Sequence, residues 1–540
     1  MTSRITPTRA QDLLSRVSSY SESIRGTSHL SAATHSLLES ADHEDARASS
    51  ASEKGGPPNM WSRDLIGYYC HYACIGMVNG LLQSCLQPYC QYVVMGQPNQ
   101  CGTIATFVNL PWSFKILYGL LSDAVPINGQ HRKPYMVLGW SLTVAGSLVI
   151  AIMSPTQLSV MCVLFLGITF AYIIADCAAD AALVGFSAFE PPETRGSILA
   201  TAYLIRFTSG IGASSIIAFL YNGPPTQGDF SFGLTTAQLL WIVVGFVCVL
   251  MGASLPFLHE PLDMEPPAAL STRLRQFHEL MMMPSAYRIA FAMVGLTTLS
   301  LVLNQATNNA NAEWFHMTPL QFGLSAALNN VVLAVGMWAF KRFLLNVNWR
   351  VSYAVGIVGM QGLAAAYLLT IYDESFRNGW WIVFTSQDSE LAYALIFAIG
   401  VVIIPEIAMP GYEGITYGAI TTYSNCAQNL TNVINNLLLA IWPSNTQSSA
   451  LRSDTAAVKQ HMAYLTYATM GVALASLVFL PVLPSQKEHV ARLRALPPSR
   501  LMGNLAVLLL ILLMVGGSAL TCLPIFPATA CLVIAGGAGC

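Results

Sequence analysis

Apolar stretches about as long as a membrane-spanning helix recur along most of this chain. A helix needs about 20 predominantly apolar residues to cross the hydrocarbon core of a bilayer. Stretches of this kind lie at residues 65–88, 102–121, 135–153, 157–183, 197–220, 235–257, 287–307, 321–344, 351–371, 391–409, 415–441 and 462–482. Because backbone polar groups in lipid must pair within helices or closed barrels, this pattern predicts an all-α integral membrane protein with about twelve transmembrane helices.

The composition fits a chain whose solvent is the bilayer. Hydrophobic residues make up 54% of the 540 residues and charged residues only 10%, whereas soluble domains are about a quarter charged. The formal net charge is −2, and the sequence has neither a basic patch nor an acidic tail. We therefore expect the lipid bilayer as a partner and no nucleic acid.

Motifs of the common pump and enzyme classes are absent from the sequence. It has no G-x-x-x-x-G-K-[ST] phosphate loop, no H-E-x-x-H and no G-x-S-x-G. The ten histidines do not cluster with acids at metal-ligand spacing. We therefore predict neither an ATP-driven pump nor an enzyme, with no catalytic residues, no metal site and no cofactor.

The spans fall into two groups of six. Residues 258–286 are charged, rich in proline and amphipathic in part, and they separate a first half at residues 61–257 from a second half at residues 287–482. Two six-helix halves joined by a cytoplasmic linker are the plan of the major facilitator fold. Residues 1–60 are rich in Ser, Ala and charge, which predicts a disordered cytoplasmic tail without a secretory signal.

Residues 483–540 follow the second half. They begin as a cytoplasmic segment and continue into a further apolar stretch, residues 505–535, which Pro524 and Pro527 interrupt. This stretch could be a thirteenth span or a re-entrant hairpin. The sequence does not choose between these two structures.

The positive charges predict an orientation. With the N-terminus in the cytoplasm, 20 of the 25 Lys and Arg residues lie on the cytoplasmic side. Arg377, Arg452 and Lys459 lie outside, and Lys115 and Arg206 lie within spans. Since Lys and Arg near span ends stay in the cytoplasm, we predict a multi-pass protein of the plasma membrane or an organelle membrane with this topology.

The cysteines do not decide the function. Most of the twelve lie in apolar runs, where a free cysteine behaves as a small buried hydrophobe. Cys70 and Cys74 lie one helical turn apart, and Cys85, Cys90 and Cys101 follow, so one disulfide near an outward loop is conceivable.

A charged segment follows the second span at its predicted cytoplasmic end. Gly119 and Asp123 form a G-x-x-x-D element, and Arg132 and Lys133 lie in the short loop to the third span. We expect Asp123, Arg132 and Lys133 to form a gate whose contacts break and re-form as the halves move. A loop that merely follows the orientation rule would explain the two cations but not Asp123.

Two more residues are candidates for this gate. Glu413 follows Pro410 and Gly411 at a cytoplasmic loop of the second half, and Arg195 lies in the corresponding loop of the first half. We expect them to be gate partners at the cytoplasmic ends of the spans. A simple solvated loop acid is the alternative for Glu413.

Four charged residues of the first half lie inside predicted spans. Lys115 is about 12 Å deeper than Asp123 at about 1.5 Å per helical residue. Asp176 and Asp180 are four residues apart and share one helical face. Arg206 is the second intramembrane cation. Two acids and two cations make a neutral cluster, which could be a salt-bridged core or the wall of a central cavity. For Lys115, a side chain that snorkels to the surface is a further alternative.

The second half offers amides rather than charges. Asn425, Asn429, Asn432 and Asn436 step by four, three and four residues along the eleventh span, which places them on one helical face. Amides facing lipid would be unsatisfied, so this face must meet water or another helix. Asparagine-mediated helix packing and a cavity-lining role for Asn425, Asn429 and Asn432 both fit.

Several segments resemble one family. The first run is similar to the P-W-x-x-K-P-L-Y-G-x-x-S-D-x-x-P-x-x-G-x-R-R-x-P-Y signature of the folate-biopterin transporters, with Ile116 in place of a proline. It consists of Pro111, Trp112, Lys115, Leu117, Tyr118, Gly119, Ser122, Asp123, Pro126, Gly129, Arg132, Pro134 and Tyr135. Further resemblances are IADCAADAALV from residue 174, ETRGSI from residue 193 and PGYEGITYGAITTYSN from residue 410.

This resemblance implies a secondary transporter of the major facilitator superfamily that moves folate or a pterin, with protons as a possible coupling ion. A carboxylate would suit the paired N–H donors of a pterin, and Lys115 or Arg206 the carboxylates of folate. Asp176 or Asp180 would bind substrate or carry the coupling proton. A carrier of another small metabolite and a non-transporting membrane scaffold or sensor are the alternatives.

Overall fold

The computed structural model describes residues 59–96, 98–260, 269–442, 448–526, 528–537 and 539–540. Except for its last two residues, the predicted tail at residues 1–60 lies outside this part of the chain. The same is true of residues 261–268 in the predicted linker. The described residues form helices joined by short turns, and named strands are absent among them.

The described part of the first half contains seven α-helices. They are α1 (Arg63–Pro88), α2 (Pro98–Val108), α3 (Lys115–Ala124), α4 (Lys133–Met153), α5 (Leu158–Ala188), α6 (Ser197–Leu220) and α7 (Thr236–Ser254). A 3₁₀ turn, Leu110–Phe114, joins α2 to α3, and these elements together make the second span. Side-chain caps fix several helix starts: Ser62 accepts the Leu65 amide, and Thr235 forms a capping box with Gln238.

The described parts of the linker, of the second half and of residues 483–540 contain the remaining α-helices. They are α8 (Leu270–Met282), α9 (Pro284–Ser300), α10 (Ala306–Glu313), α11 (Pro319–Ala339), α12 (Trp349–Tyr372), α13 (Gly379–Thr385), α14 (Asp388–Ile403), α15 (Glu413–Leu439), α16 (Ser448–Ser453), α17 (Ala456–Ala475), α18 (Lys487–Arg494) and α19 (Arg500–Cys522). α8 is the amphipathic part of the linker, and it meets α9 at an angle of 81°.

Each of the twelve predicted stretches is helical over most of its length. Within the described residues, ten helices are long and apolar enough to cross a membrane, or eleven if the bent pair of α8 and α9 is one span. α1 and α15 are not among them, although they have 26 and 27 residues, because polar side chains lower their mean hydropathy. The seventh predicted span, 287–307, is shorter in the structure, since α9 ends at Ser300 before a cluster of amides.

The apolar stretch at residues 505–535 contains one helix and a return segment. α19 is long enough to cross a bilayer and packs against α15, where the Tyr423 hydroxyl donates to the Ala506 carbonyl oxygen at 2.7 Å. α19 ends just before Pro524, which cannot continue a helix hydrogen-bond ladder. The chain then returns to α15, where Asn436 Nδ2 donates to the Ile534 carbonyl oxygen at 3.0 Å.

The two ends of the helix bundle differ in charge and in redox chemistry. We call the end that carries Arg132 and Arg195 the basic face and the opposite end the far face. The far face holds two disulfides, Cys90–Cys101 between α1 and α2 and Cys531–Cys540 after α19. The first lies in the cysteine group that the sequence singled out, whereas the second was not anticipated.

The two halves meet along two helix pairs, α6 with α11 and α3 with α15. Small residues make both approaches close. A Cβ atom on Gly323 of α11 would lie 2.6 Å from the Cα atom of Ala218 in α6, and one on Gly418 would lie 2.6 Å from the Lys115 carbonyl oxygen. Glycine therefore allows backbones to meet where any side chain would hold them apart. Lys115 begins α3 at the second of these contacts.

Candidate functional site

Four charged side chains meet within the first half. Lys115 Nζ lies 2.5 Å from Asp176 Oδ2 and 2.8 Å from Asp180 Oδ2. Arg206 Nη1 lies 3.0 Å from Asp176 Oδ1. The two acids reach this point because they lie one helical turn apart on α5. The structure thus brings together the four intramembrane charges that the sequence singled out.

The two acids are buried behind the cavity wall, whereas the two cations reach it. Asp176 and Asp180 are 0% exposed and are not among the described residues that line the central cavity, whereas Lys115 and Arg206 reach its wall. We expected all four to line the cavity. The two acids lie deeper because the cationic side chains and Tyr203 stand on their cavity side.

Three tyrosines complete the surroundings of Asp180. Tyr72 and Tyr203 donate hydrogen bonds to Asp180 Oδ1, the second at 2.8 Å. The Tyr203 hydroxyl is also hydrogen-bonded to the hydroxyl of Tyr417, which belongs to the second half. Lys115 donates to the other carboxylate oxygen of Asp180. The charge of this buried acid is therefore paired and hydrogen-bonded, as a charge in a low-dielectric site must be.

A cavity of about 740 Å³ lies between the halves. It extends toward the far face along α1, where Gln83 lines it, and Thr106 at the inner end of α2 also lines it. Tyr203 and Tyr417 line it nearer the basic face. The volume is within the range of about 300–1,000 Å³ that is usual for small-molecule sites.

One wall of the cavity is cationic and aromatic. Trp112 contacts both cations, and its ring centroid lies 4.9 Å from Lys115 Nζ and 5.0 Å from Arg206 Cζ. Cation–π contacts of this length stabilise the positions of both charged groups. The indole also lies on the cavity wall, so one aromatic face and two cations are presented together.

The opposite wall is formed by the second half and carries amides and one acid. Asn425, Asn429 and Asn432 line the cavity, as does Glu390 of α14. Asn425 also donates to the Trp112 carbonyl oxygen at 2.8 Å and so joins the two halves. Asn436, the last amide of the predicted face, contacts the segment after α19 instead. Helix packing and cavity lining are thus combined on one helix face.

A network of charged groups closes the basic face between α3 and α15. Arg132 Nη1 lies 2.6 Å from Asp123 Oδ1, and Arg132 Nη2 lies 3.3 Å from Glu413 Oε2. Asp123 Oδ2 accepts the amide of Ile415 at 2.7 Å. Asp123 and Arg132 belong to the first half and Glu413 and Ile415 to the second, so this network holds the halves together.

A second ion pair joins the halves elsewhere on the basic face. Arg195 Nη1 lies 3.2 Å from Glu406 Oε2, so the partner of Arg195 is Glu406 and not Glu413. Lys133, which the sequence predicts in the gate, donates instead to the Leu258 carbonyl oxygen at 3.0 Å, where the linker begins. Its neighbour Arg132 presents a forked guanidinium group, which contacts Asp123 and Glu413 together and so makes the contact across the interface.

Glu190 caps the loop that carries Arg195. Its carboxylate accepts the amides of Gly196 at 2.8 Å and Ile198 at 3.1 Å, at the N-terminus of α6. Gly196 has a positive φ of 94°, which glycine adopts without strain. Burial raises the pKa of Glu190 to about 7, although both amides favour its ionised form. This acid therefore titrates near neutral pH.

Sequence reasoning missed four residues that contribute to these sites. Tyr72 and Tyr417 were overlooked because tyrosines in spans are common and usually mark interfaces. Glu390 and Glu406 were overlooked because they lie near predicted span ends. A signal was available for Glu406, since it ends the apolar run of residues 391–405, whereas Glu390 follows the polar residues 385–389.

Comparisons with known proteins agree with this architecture. The BT1 family model matches residues 75–491. The folate-biopterin transporter of Synechocystis sp. is 23% identical over 411 residues, which cover 73% of this chain and 76% of that protein. The probable folate-biopterin transporter 2 of Arabidopsis thaliana is 28% identical over 174 residues, which cover 31% of this chain and 34% of that protein. The chain thus aligns with about a third of the Arabidopsis relative's length.

Among solved structures, the human organic anion transporter MFSD10 (TETRAN) is similar to this chain. Its TM-score is 0.52 at 14% sequence identity, and the match covers 78% of this chain and 100% of that chain. At this identity the likeness concerns the fold alone. The predicted all-helical, multi-pass architecture of the major facilitator type is confirmed.

Proposed function

The chain belongs to the BT1 family, and from this membership we propose that it moves folate or pterin-type solutes across a membrane by alternating access, with protons as the coupling ion. Membership in a transporter family makes it a carrier rather than an enzyme. The observation that carries the substrate proposal is the cavity between the halves, whose wall holds Lys115, Arg206 and Trp112 beside a set of amides.

The cations suit the acidic end of a folate. Lys115 and Arg206 reach the cavity wall while their counter-ions stay buried behind them. A substrate carboxylate that approaches this wall would gain charge-assisted hydrogen bonds without a direct clash with Asp176 or Asp180. The cation wall would therefore bind the anionic part of the solute.

The second half suits the pterin ring. A pterin edge has both donors and acceptors, and asparagine amides offer both kinds of partner. Among the described residues that line the cavity, Glu390 is the acidic one, and it would accept the paired N–H donors of the pterin in place of Asp176 or Asp180. Trp112 offers an aromatic face on which the ring could stack. The ring would then bridge the two halves.

Asp176 and Asp180 are left for proton coupling. Both contact Lys115, so a substrate anion that draws Lys115 toward the cavity would leave Asp180 with less positive charge nearby and a greater affinity for a proton. Substrate and proton would then bind together. The Arg132 and Arg195 contacts on the basic face would open in the following step of the cycle.

The orientation also belongs to this proposal. Most cationic loops lie at the basic face, and both disulfides lie at the far face. Cationic loops favour the cytoplasm, and disulfides persist in oxidising compartments. We therefore place the basic face in the cytoplasm and the far face outside the cell or in an organelle lumen.

The experiment is uptake of labelled folate and of labelled biopterin by cells that express the chain. Lys115→Gln should abolish folate uptake, whereas Lys459→Gln, which removes a partly exposed cation of the far face, should leave it intact. Uptake should rise when the external medium is acidified. If correctly localised protein takes up neither compound, the substrate proposal is wrong and another small metabolite must be sought.

A carrier for another metabolite is the second candidate, because the same wall would accept other anionic heterocycles. Competition for uptake by a panel of such compounds separates the two. A scaffold or sensor without transport is disfavoured, since it gains nothing from a cavity lined by charges that are costly to bury.

A further inference from the structure

We propose that Tyr417, Tyr203 and Asp180 form a hydroxyl chain that carries a proton between the cavity and the buried carboxylate and presents the protonation state of Asp180 to the cavity. The proposal rests on the proposed transport function for its purpose. Its physical basis is the geometry of three side chains.

The hydroxyl chain joins a buried acid to the substrate cavity. Tyr203 donates to Asp180 Oδ1 at 2.8 Å, and its hydroxyl is hydrogen-bonded to that of Tyr417. Asp180 is 0% exposed, whereas both tyrosines line the cavity. Tyr203 lies on α6 and Tyr417 on α15, so the chain also crosses from the first half to the second.

An ionised Asp180 fixes the direction of the hydrogen bonds. A carboxylate only accepts, so Tyr203 must donate its single proton to Asp180. The Tyr203 oxygen then accepts from Tyr417, whose proton is thereby used. Tyr417 can offer only oxygen lone pairs to a ligand in the cavity.

Protonation reverses this direction. A proton that reaches the Tyr417 oxygen from the cavity allows Tyr417 to release its own proton to Tyr203, and Tyr203 to release its proton to Asp180. One proton enters, one O–H bond forms on Asp180, and both tyrosines stay neutral. When the hydroxyls rotate, Asp180 donates to Tyr203, Tyr203 donates to Tyr417, and Tyr417 donates into the cavity.

The consequence is a change in what the cavity recognises. With Asp180 ionised, Tyr417 accepts a hydrogen bond, and with Asp180 protonated it donates one. A substrate carboxylate or carbonyl oxygen near Tyr417 would be favoured only in the protonated state. Proton and anionic substrate would therefore favour each other's binding although Asp180 never touches the substrate.

Other groups face Asp180 and could share its proton. They are Lys115 of α3, Tyr72 of α1, and Asp176 and Cys177 of its own helix, with Arg206 and Tyr417 nearby. Lys115 matters most, because its ammonium group donates to Asp180 and also reaches the cavity. A test must distinguish the tyrosine route from this lysine route.

The first test follows hydrogen–deuterium exchange of the protonated Asp180 carboxyl by infrared spectroscopy on purified protein, which needs no substrate. Asp180→Asn identifies the band. Tyr417→Phe and Tyr203→Phe should each slow exchange by on the order of tenfold, which corresponds to about 1.4 kcal/mol in the barrier. The double variant should be no slower than either single variant, since both interrupt one chain. Tyr393→Phe, which removes another hydroxyl of the cavity wall, should not slow exchange.

Two results would overturn the proposal. Exchange at the wild-type rate in Tyr417→Phe would mean that the proton travels by Lys115. The lack of any band that disappears in Asp180→Asn between about pH 4 and pH 8 would mean that Asp180 does not take up a proton under working conditions.

The second test uses transport. In proteoliposomes, Tyr417→Phe should lose the acceleration of uptake by a proton gradient but keep exchange of internal for external substrate. A merely structural defect would slow both modes together and would contradict the proposal. If neither mode occurs in the wild type, the proposed substrate is wrong. The infrared test still decides whether the hydroxyl chain carries a proton to Asp180.

Discussion

Gly119 of α3 and Gly414 of α15 touch so closely that a Cβ atom on Gly119 would lie 2.0 Å from the Gly414 carbonyl oxygen. The contact joins the two halves next to the network of Asp123, Arg132 and Glu413. Two glycines therefore set how closely the halves approach at the basic face. The same pair must separate if the cavity is to open on that side.

Substitution of Gly119 should disturb this closed face. Gly119→Ala places a methyl group against a backbone carbonyl that cannot move away as a side chain can, and such overpacking costs about 1–3 kcal/mol. We expect the state that is closed at the basic face to lose population and the uptake rate to fall by about tenfold. The measurement is initial uptake rate, normalised to protein at the membrane.

Gly102→Ala is the matched control, because a Cβ atom at Gly102 of α2 would meet nothing within 4 Å. Its uptake should equal that of the wild type. Equal uptake by Gly119→Ala and Gly102→Ala would contradict the role of the glycine contact.

A neutral substitution of Arg132 should reduce stability more than a neutral substitution of Asp123. Arg132→Gln leaves a buried aspartate with one cation fewer, and breaking a buried pair in this way costs about 3–5 kcal/mol. Asp123→Asn keeps an oxygen that can accept the Ile415 amide, so we expect a smaller loss. Thermal unfolding of the detergent-solubilised protein should rank the wild type first, Asp123→Asn second and Arg132→Gln last. The reverse order of the two variants would contradict this account.

The stability of variants at the four buried charged residues should depend on the net charge that remains in the cluster. Lys115→Met alone leaves two acids facing one cation, and Asp180→Asn alone leaves two cations facing one acid. Lys115→Met with Asp180→Asn restores a neutral pair of Asp176 and Arg206. We therefore expect the double variant to unfold at a higher temperature than Lys115→Met, with a coupling energy of about 0.5–3 kcal/mol. Additive losses of stability in the double variant would mean that Lys115 and Asp180 do not interact. Transport should be lost in all three variants.

Stability should depend on pH through Glu190. Its pKa is raised from 4.5 to about 7 by burial, so between these values the folded chain binds more protons than the unfolded chain. Stability therefore falls as pH rises through this window and is constant above it as far as Glu190 is concerned. Glu190→Gln cannot ionise, so its unfolding temperature should fall less between about pH 5 and pH 7. Parallel curves for the wild type and Glu190→Gln would show that the acid is already ionised across this range.

The sequence by itself determined the spans and the candidates for buried charge. Runs of apolar residues of a fixed length have few other structures open to them in a bilayer, and a charge within such a run is conspicuous because it is costly. Lys115, Asp176, Asp180 and Arg206 could therefore be singled out before any contact was known. The same argument led to Asp123 and Arg132 at the end of a span.

Only the tertiary structure decided the depth and the partners of these groups. Helical periodicity gives the face on which a residue lies, but it does not say which helix covers that face. The pairing of Arg195 with Glu406, the link from Tyr417 to Asp180 and the recess of both aspartates behind the cations depend on contacts between residues up to 214 positions apart. The physical reason is that burial and hydrogen bonding are properties of packed neighbours, and the order of residues along one helix carries no record of them.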